Sequence, residues 1–156
     1  MKKKKRKSTT IVNKKAKAMY QIYETVEAGV VLNGAEVKSL RRGRTSLRDS
    51  FARVRNGEGW VHNWLINPYE FAENKDYDPK RARKILLNKK QLLRFEKKTE
   101  GKRWMLVPLK VYLKGRVFKV ELGLGRGKKK YERKAELKKR DQEREVDREL
   151  KHLGLR

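Results

Sequence analysis

The chain has 156 residues, with 45 lysines and arginines against 19 aspartates and glutamates and a formal net charge of +26. It has no cysteine, which excludes disulfides, thiol nucleophiles and thiolate metal sites and suits a reducing compartment. A polyanion is needed to compensate this charge. RNA fits better than acidic lipid, because no apolar run approaches the roughly 18 residues of a membrane span and the amino-terminal lysine run lacks the apolar stretch of a signal peptide. We therefore expect a cytoplasmic protein without a membrane partner.

The charge divides the chain into parts. Residues 1–17 carry +9, residues 18–79 carry −1, residues 80–125 carry +12 and residues 126–156 carry +6. All three tryptophans and all four phenylalanines lie within residues 18–125. We predict a disordered basic arm over residues 1–17, one RNA-binding domain over residues 18–125 and a tail over residues 126–156.

The first elements of the domain are predicted as strands and a short helix. The β-prone runs Tyr20–Ile22 and Val30–Leu32 flank Gly29, where we expect a bend or bulge. The apolar spacing over Glu36–Arg42 predicts an amphipathic helix that ends at Gly43.

A hairpin is predicted around Asn56-Gly57, because this pair accepts the positive φ angles of a tight turn. Its strands fall around Phe51–Arg55 and Trp60–Ile66, and an exposed polar loop then runs through Asp78-Pro79.

The next segment, Arg83–Leu87, is predicted as a strand, and Asn88 as the cap of a helix that Gly101 ends. The inward side chains of this helix are expected to be Leu92, Leu93 and Phe95.

The clearest hairpin turns at Gly115. Lys119 is expected to project away from the core, and Pro108 to mark an edge or a bulge. The core-facing rows are predicted as Met105, Val107, Leu109, Val111 and Leu113 before the turn, and Phe118, Val120, Leu122 and Leu124 after it.

These elements predict a mainly β fold, an OB-fold-like closed antiparallel barrel of about six strands with two or three flanking helices and a basic tail. An open α+β sheet is the alternative. The tail is helix-prone, with a narrow apolar stripe at Val146, Leu150 and Leu153. So little apolar surface predicts a segment that is disordered when free and helical on a partner.

Catalytic chemistry is poorly supported. His62 and His152 have no second ligand at metal spacing, and the acidic residues are scattered. Gly123–Lys128 is rich in glycine but lacks the order of a phosphate loop and is interpreted as a strand leading into a hinge. We therefore predict no catalytic residue, no metal and no cofactor.

Binding chemistry is better supplied. Leu86 offers an apolar surface for a base or ribose, unless it belongs to the core. Glu27 is either structural or an acceptor for base amino groups or a 2′-hydroxyl. Tyr131 stands alone in a lysine-rich tail, where it either stacks on a base or is simply exposed. The cations predicted to form a basic ledge beside Leu86 are Arg81, Arg83, Lys84, Lys89 and Lys90.

Several motifs in order resemble one known family, the SsrA-binding protein (SmpB) family. The longest runs from Glu27 to Gly43. The others are Asp49–Ala52, Asn67–Tyr69, Asp78-Pro79, Arg83–Leu87, Val107–Tyr112, Lys119–Gly123 and Gly127–Lys129.

The resemblance implies an OB-fold adaptor without catalysis. Members of the family bind the tRNA-like domain of transfer-messenger RNA (tmRNA) and promote its charging with alanine. They deliver it with elongation factor Tu to stalled ribosomes, where the tail occupies the empty mRNA channel along the small-subunit rRNA. We expect a monomer.

Carried over by position, the RNA-contact residues fall on Asn13, Glu27, Leu86 and Lys119. The decoding-centre contact falls on Tyr131, followed by the tail motif Glu132-Arg133-Lys134, where the family usually has Asp-Lys-Arg. Tyr77 stands where a histidine is common. The remaining residues that we assign to RNA binding are Arg83, Lys84, Lys128 and Lys129. The rival hypothesis is a structural ribosomal protein with basic extensions.

Overall fold

The computed structural model describes residues 9–101 and 103–154, which form a mainly β protein. The lysine-rich first eight residues of the predicted arm lie outside the described residues. The strands are β1 Thr10–Val12, β2 Tyr20–Val30, β3 Thr45–Ser46, β4 Phe51–Arg55, β5 Glu58–His62, β6 Leu65–Ile66, β7 Arg83–Leu86, β8 Met105–Lys114 and β9 Val117–Gly127. The helices are α1 Lys14–Met19, α2 Gly34–Arg41, α3 Lys89–Thr99 and α4 Lys130–His152.

Six strands close into an antiparallel ring. Their order is β8-β4-β5-β7-β2-β9, and β9 pairs again with β8. The narrowest junction is that between β4 and β8, where Ala52 pairs with Leu106. The predicted mainly β class and the closed arrangement of six strands are confirmed, whereas the open-sheet alternative is wrong.

The inside of the ring holds the main core. The predicted row on β9 is confirmed, because all four of its apolar side chains are buried there. Phe95 of α3 and Trp64, between β5 and β6, are fully buried in the same cluster. Leu93, predicted to face inward from α3, is instead exposed.

The predicted single apolar row on β8 is wrong, because the strand contains a bulge. The register with β9 shifts between Pro108 and Lys110, as the proline suggested. Before the shift the even-numbered residues of β8 face inward, and after it the odd-numbered ones do. Leu106 and Val111 therefore both reach the main core. Val107 and Leu109 instead pack in a second, smaller cluster.

The second cluster shows that the amino-terminal arm is partly folded. Ala16 of α1 is buried against Val107 and Leu109, and β1 pairs with the edge of β8. The prediction of a disordered arm is therefore wrong for its described part, and the folded unit runs from Thr10 to Gly127 rather than over residues 18–125. The sequence signal was weak because β1 and α1 are short.

The predicted bend or bulge at Gly29 is wrong, because β2 keeps a regular register with β9 from Glu24 to Gly29. The irregularity lies between Ile22 and Glu24. Gly29 serves a close approach of strands, because a Cβ atom there would lie 3.2 Å from the Cβ atom of Leu86.

The predicted cap of α3 and the predicted hairpin turn agree with the structure. The Asn88 side chain accepts a hydrogen bond from the N–H group of Gln91 in the first turn of α3. Helix α2 begins two residues earlier than the predicted Glu36, because the Asn33 side chain caps it by accepting from the N–H group of Glu36. The predicted tight turn has positive φ at both Asn56 and Gly57.

Helix α4 leaves the ring after β9 and buries none of its residues. The residues that we expected to become helical on a partner are helical in the structure. Its loss in the free protein stays a prediction.

Candidate nucleic-acid interface

One side of the ring carries a charged outer face on neighbouring strands. In β2, Gly29 pairs with Lys119 of β9, which in turn pairs with Tyr112 of β8. Their neighbours Ala28, Val120 and Val111 point into the core, so these side chains point outward. We call this surface the β2–β9–β8 face, and it consists of Glu27, Lys110, Tyr112, Lys114, Lys119 and Glu121.

Glu27 is held on this face by two donors. The Tyr112 hydroxyl donates to one carboxylate oxygen and Lys114 Nζ donates to the other over 3.0 Å. The hydrogen bond from Tyr112, and then that from Lys114, lower the pKa of Glu27. Burial and the hydrogen bond to Glu27 raise the pKa of Tyr112 to about 12, so the hydroxyl stays protonated. The carboxylate keeps free lone pairs for further donors.

Leu86 lies beside this face. It pairs with Gly29, which also pairs with Lys119, and its side chain is 54% exposed. The interpretation of Leu86 as a core residue is therefore wrong. Of the residues taken from the family resemblance, Glu27, Leu86 and Lys119 come together on one surface.

Only some of the cations in the predicted basic ledge are exposed. Lys84 is partly exposed and lies 3.5 Å from Glu58, and Lys89 and Lys90 are exposed at the start of α3. Arg83, by contrast, is completely buried. Its assignment to RNA binding is wrong.

Arg83 belongs to a buried network around Glu36. Its Nε donates to a carboxylate oxygen of Glu36 over 2.5 Å, and Arg81 pairs with the other oxygen. Arg83 also donates to the Tyr77 hydroxyl over 3.2 Å and to the main-chain carbonyl of Trp64. All its donors are thus turned inward, and we call Glu36, Tyr77, Arg81 and Arg83 the buried network.

Burial alone would raise the pKa of Glu36, but hydrogen bonds from Arg81, the Asn33 N–H and Arg83 hold it below its usual value. Sequence reasoning missed this network. The available signal was alternation, because Arg83 shares the inward parity of β7 with Ile85.

The side chain of Asn13 also makes its hydrogen bonds within the protein. Its side chain is buried and donates to the carbonyls of Leu47, over 3.0 Å, and Pro108, over 2.9 Å. It also accepts from the N–H of Ala16 at the start of α1. Asn13 therefore fastens α1 to the ring and presents no free polar atom to RNA.

The predicted site residues before and within α4 also divide into buried and exposed side chains. Lys128 is only 8% exposed and binds Glu136 and the carbonyl of Lys17, so its side chain fixes the start of α4 and does not face RNA. Lys129 and Tyr131 are exposed, with Lys129 Nζ 5.9 Å from the ring centroid of Tyr131.

In the first turn of α4, Glu132 accepts from the N–H of Lys129 over 3.2 Å. Arg133 is half-buried and Lys134 is exposed. The cationic and aromatic side chains at this turn are thus on the surface, apart from part of Arg133.

Neither a metal site nor a membrane-spanning helix is present in the part of the chain that the structure describes. His62 lies on β5 and stacks on Phe51 with 5.3 Å between ring centroids.

A family comparison places this chain. The profile of the family described as SmpB protein matches residues 10–152. The chain belongs to the SmpB family. It is 50% identical to the SsrA-binding protein of Carboxydothermus hydrogenoformans, with 89% of this chain and 93% of the relative covered. It is 49% identical to the SsrA-binding protein of Aquifex aeolicus, with 89% of each covered.

A solved structure agrees with this SmpB assignment. The chain described as "tmRNA-SmpB: a journey to the center of the bacterial ribosome" is 47% identical and superposes with a TM-score of 0.66. The match covers 78% of this chain and 86% of that chain.

Proposed function

We propose that this SmpB-family chain is an RNA-binding adaptor that binds the tRNA-like domain of tmRNA and carries it to stalled ribosomes. The observation that carries the proposal is the placement of Glu27, Leu86 and Lys119 on one exposed surface of the ring. The names of the SsrA-binding relatives and of the similar tmRNA–SmpB structure support the choice of RNA.

The surface has the chemistry for recognising folded RNA. Lys84 and Lys119 offer cations to phosphates, and Leu86 offers an apolar contact to a ribose or base. Glu27 accepts from a base amino group or a 2′-hydroxyl, and its neighbours Tyr112 and Lys114 keep it ionised. The six-stranded ring is, in this proposal, an OB-fold barrel, a fold that commonly binds nucleic acid on the outer face of two of its strands and on adjoining loops.

The tail has a separate task. We place Tyr131 and the following Glu132, Arg133 and Lys134 at the decoding centre, with the rest of α4 in the empty mRNA channel of the small subunit. The exposed stripe of Val146 and Leu153 supports a segment that meets a surface elsewhere. In this proposal the chain is a cytoplasmic monomer without catalysis, and elongation factor Tu joins the alanyl-tmRNA complex.

Competition binding tests the RNA partner. Labelled tRNA-like domain of tmRNA is displaced by unlabelled tmRNA and, as the competitor control, by an ordinary tRNA. We expect tmRNA to compete more strongly, with log affinity falling by about 0.7 to 0.9 per phosphate contact for each unit of log salt. Equal competition by both RNAs contradicts the proposal.

Truncation after Lys129 tests the division between ring and tail. This variant removes α4 but keeps Lys128 and its contact with the carbonyl of Lys17. We expect tmRNA binding to survive and rescue of stalled ribosomes to be lost. Equal loss of both activities would place the tail in the tmRNA site.

A further inference from the structure

An exposed pair of aromatic rings lies apart from the β2–β9–β8 face and from the tail. Tyr23 of β2 and Trp104, just before β8, have ring centroids 4.9 Å apart at an interplanar angle of 69°. Tyr23 is 52% exposed, while Trp104 is half-buried against the main core. An edge-to-face contact leaves each ring with at least one face free of the other ring.

The backbone holds Tyr23 in this position. The pairing of β2 with β9 passes from Ile22 opposite Gly125 to Glu24 opposite Leu124, so Tyr23 is the extra residue of a bulge. A Cβ atom on Gly125 would lie 2.4 Å from the carbonyl oxygen of Gln21. The bulge therefore depends on this glycine, and Tyr23 is presented by a rigid strand rather than by a loop.

The pair is bordered by cations. Arg126 Cζ lies 5.9 Å from the ring centroid of Tyr23, and Lys98 Nζ lies 6.0 Å from that of Trp104. Arg94 is next to them and is paired with Glu24. Exposed rings flanked by cations are a combination that binds unpaired nucleotides, because the rings stack on the base and the cations reach the phosphate.

The other side of Trp104 lacks this excess of positive charge. The groove there is lined by β4, the end of α3 and the start of β8, and it carries both signs of charge: Arg53, Arg55, Glu96 and Glu100. A polyanion is therefore favoured on the Tyr23 side of the pair.

The pair lies at the end of the ring beside α3 rather than on the β2–β9–β8 face, because Arg126 shares the inward parity of Leu124 and Trp104 shares that of Leu106. Tyr23 and Glu27 are both exposed and lie four residues apart on one strand, which corresponds to about 13 Å. One folded RNA can therefore touch both places.

We propose that Tyr23 and Trp104 form a stacking site for an unpaired base of the RNA that binds the β2–β9–β8 face. The ligand class is a single-stranded nucleotide, in a loop or at an end, with Arg126 and Lys98 reaching its phosphates. This inference rests on the proposed function for the identity of the RNA, but not for the chemistry of the site.

Substitutions at Tyr23 test the stacking, with the tRNA-like domain of tmRNA as the probe. Tyr23→Ala is expected to weaken binding about 5- to 100-fold, whereas Tyr23→Phe keeps the ring and binds like the parent. The matched control is Phe71→Ala, which removes an exposed ring that Arg42 contacts elsewhere and should leave affinity unchanged. Unchanged affinity in Tyr23→Ala, or an equal loss in Tyr23→Phe or Phe71→Ala, overturns the proposal.

Tryptophan fluorescence gives an independent measurement. The contribution of Trp104 is obtained by comparing the full chain with Trp104→Phe. We expect quenching by an RNA hairpin with an unpaired loop and none by a blunt, fully paired RNA duplex. Equal quenching of the Trp104 contribution by both RNAs, or quenching of the same size in Trp104→Phe as in the full chain, overturns the stacking site. If the hairpin quenches but tmRNA fails to compete better than tRNA, the proposed function fails and the stacking site stands.

Discussion

Two glutamates of this protein have nearly the same partners but opposite surroundings. Glu36 accepts from Arg81 and Arg83 and lies within hydrogen-bonding distance of the Tyr77 hydroxyl, inside the protein. Glu27 accepts from Lys114 and the Tyr112 hydroxyl on the outer surface of the ring. In both places hydrogen bonds from the partners lower the pKa of the carboxyl group.

The difference is burial, and it separates structure from recognition. Glu36 and Arg83 are cut off from solvent, so their hydrogen bonds serve only the fold. The carboxylate of Glu27 remains open to an incoming donor. A cluster of charges with an aromatic hydroxyl is therefore not by itself a binding site, and three substitutions and one change of pH test the contrast between the two glutamates.

The largest effect is expected for Glu36→Gln. Removing this charge leaves Arg83 buried without a counterion, which should lower the free energy of unfolding by about 3–5 kcal/mol. Urea denaturation measures the change. The control is Glu70→Gln, because Glu70 pairs with Arg42 over 2.7 Å at the surface, and it should cost no more than about 1 kcal/mol. Equal losses in the two variants would show that Glu36 is not the structural glutamate.

The free energy of unfolding should depend on pH through the ionisation of Glu36. The folded pKa of Glu36 lies below its ordinary value of 4.5, so its contribution is fully present above pH 4.5 and is lost as the pH falls through the lowered pKa. Urea denaturation of the parent chain and of Glu36→Gln, repeated at each pH below 4.5, measures this contribution. The gap between the two curves should shrink as the solution becomes more acidic, and a constant gap would contradict it.

Glu27→Gln should change binding rather than stability. The amide has the same size but loses the charged acceptor, so affinity for the tRNA-like domain should fall about tenfold while the urea midpoint stays unchanged. The matched control on the same face is Glu121→Gln. Its carboxylate forms an ion pair with Lys110, with 3.0 Å between Lys110 Nζ and Glu121 Oε2. If both variants lose the same affinity, the effect is one of general charge and Glu27 has no specific role.

Tyr112→Phe should have the smallest effect. It removes one of the two donors to Glu27, while Lys114 still holds the carboxylate, so we expect about a threefold loss of RNA affinity. The double variant Glu27→Gln with Tyr112→Phe should then bind like Glu27→Gln alone, because Tyr112 acts through Glu27. Additive losses would indicate that Tyr112 contacts RNA directly.

Local sequence rules predicted the short-range features of this protein well. Asn88 caps a helix, Asn56-Gly57 turns a hairpin, and the alternating residues of β9 face the core. These features depend on backbone angles and on neighbours within a few residues, which composition and spacing report directly. The family resemblance singled out Glu27, Leu86 and Lys119, which the fold brings together on one surface, while their contact with RNA stays a prediction.

Contacts between distant parts of the chain could not be predicted in this way. A bulge reversed the parity of β8, and Arg83 proved to be buried because Glu36, 47 positions away, supplies its counterion. Asn13 likewise turned inward because its amide finds the carbonyl of Pro108, 95 positions away. A polar residue's type does not tell which partner the fold will bring to it.

Charge, composition and periodicity are properties of the chain, so a basic, cysteine-free, mainly β protein with a helix-prone tail could be predicted from the sequence alone. Which of its polar and charged side chains are buried and which reach the surface depended on the folded structure. Folding buries Arg83 and Asn13, and it pairs the ammonium group of Lys128 with Glu136. Leu86, Lys119 and Tyr131 remain at the surface. The physical reason is that burial removes a charge from water, so each buried charge must take a fixed partner, and only the folded chain determines which partners are within reach.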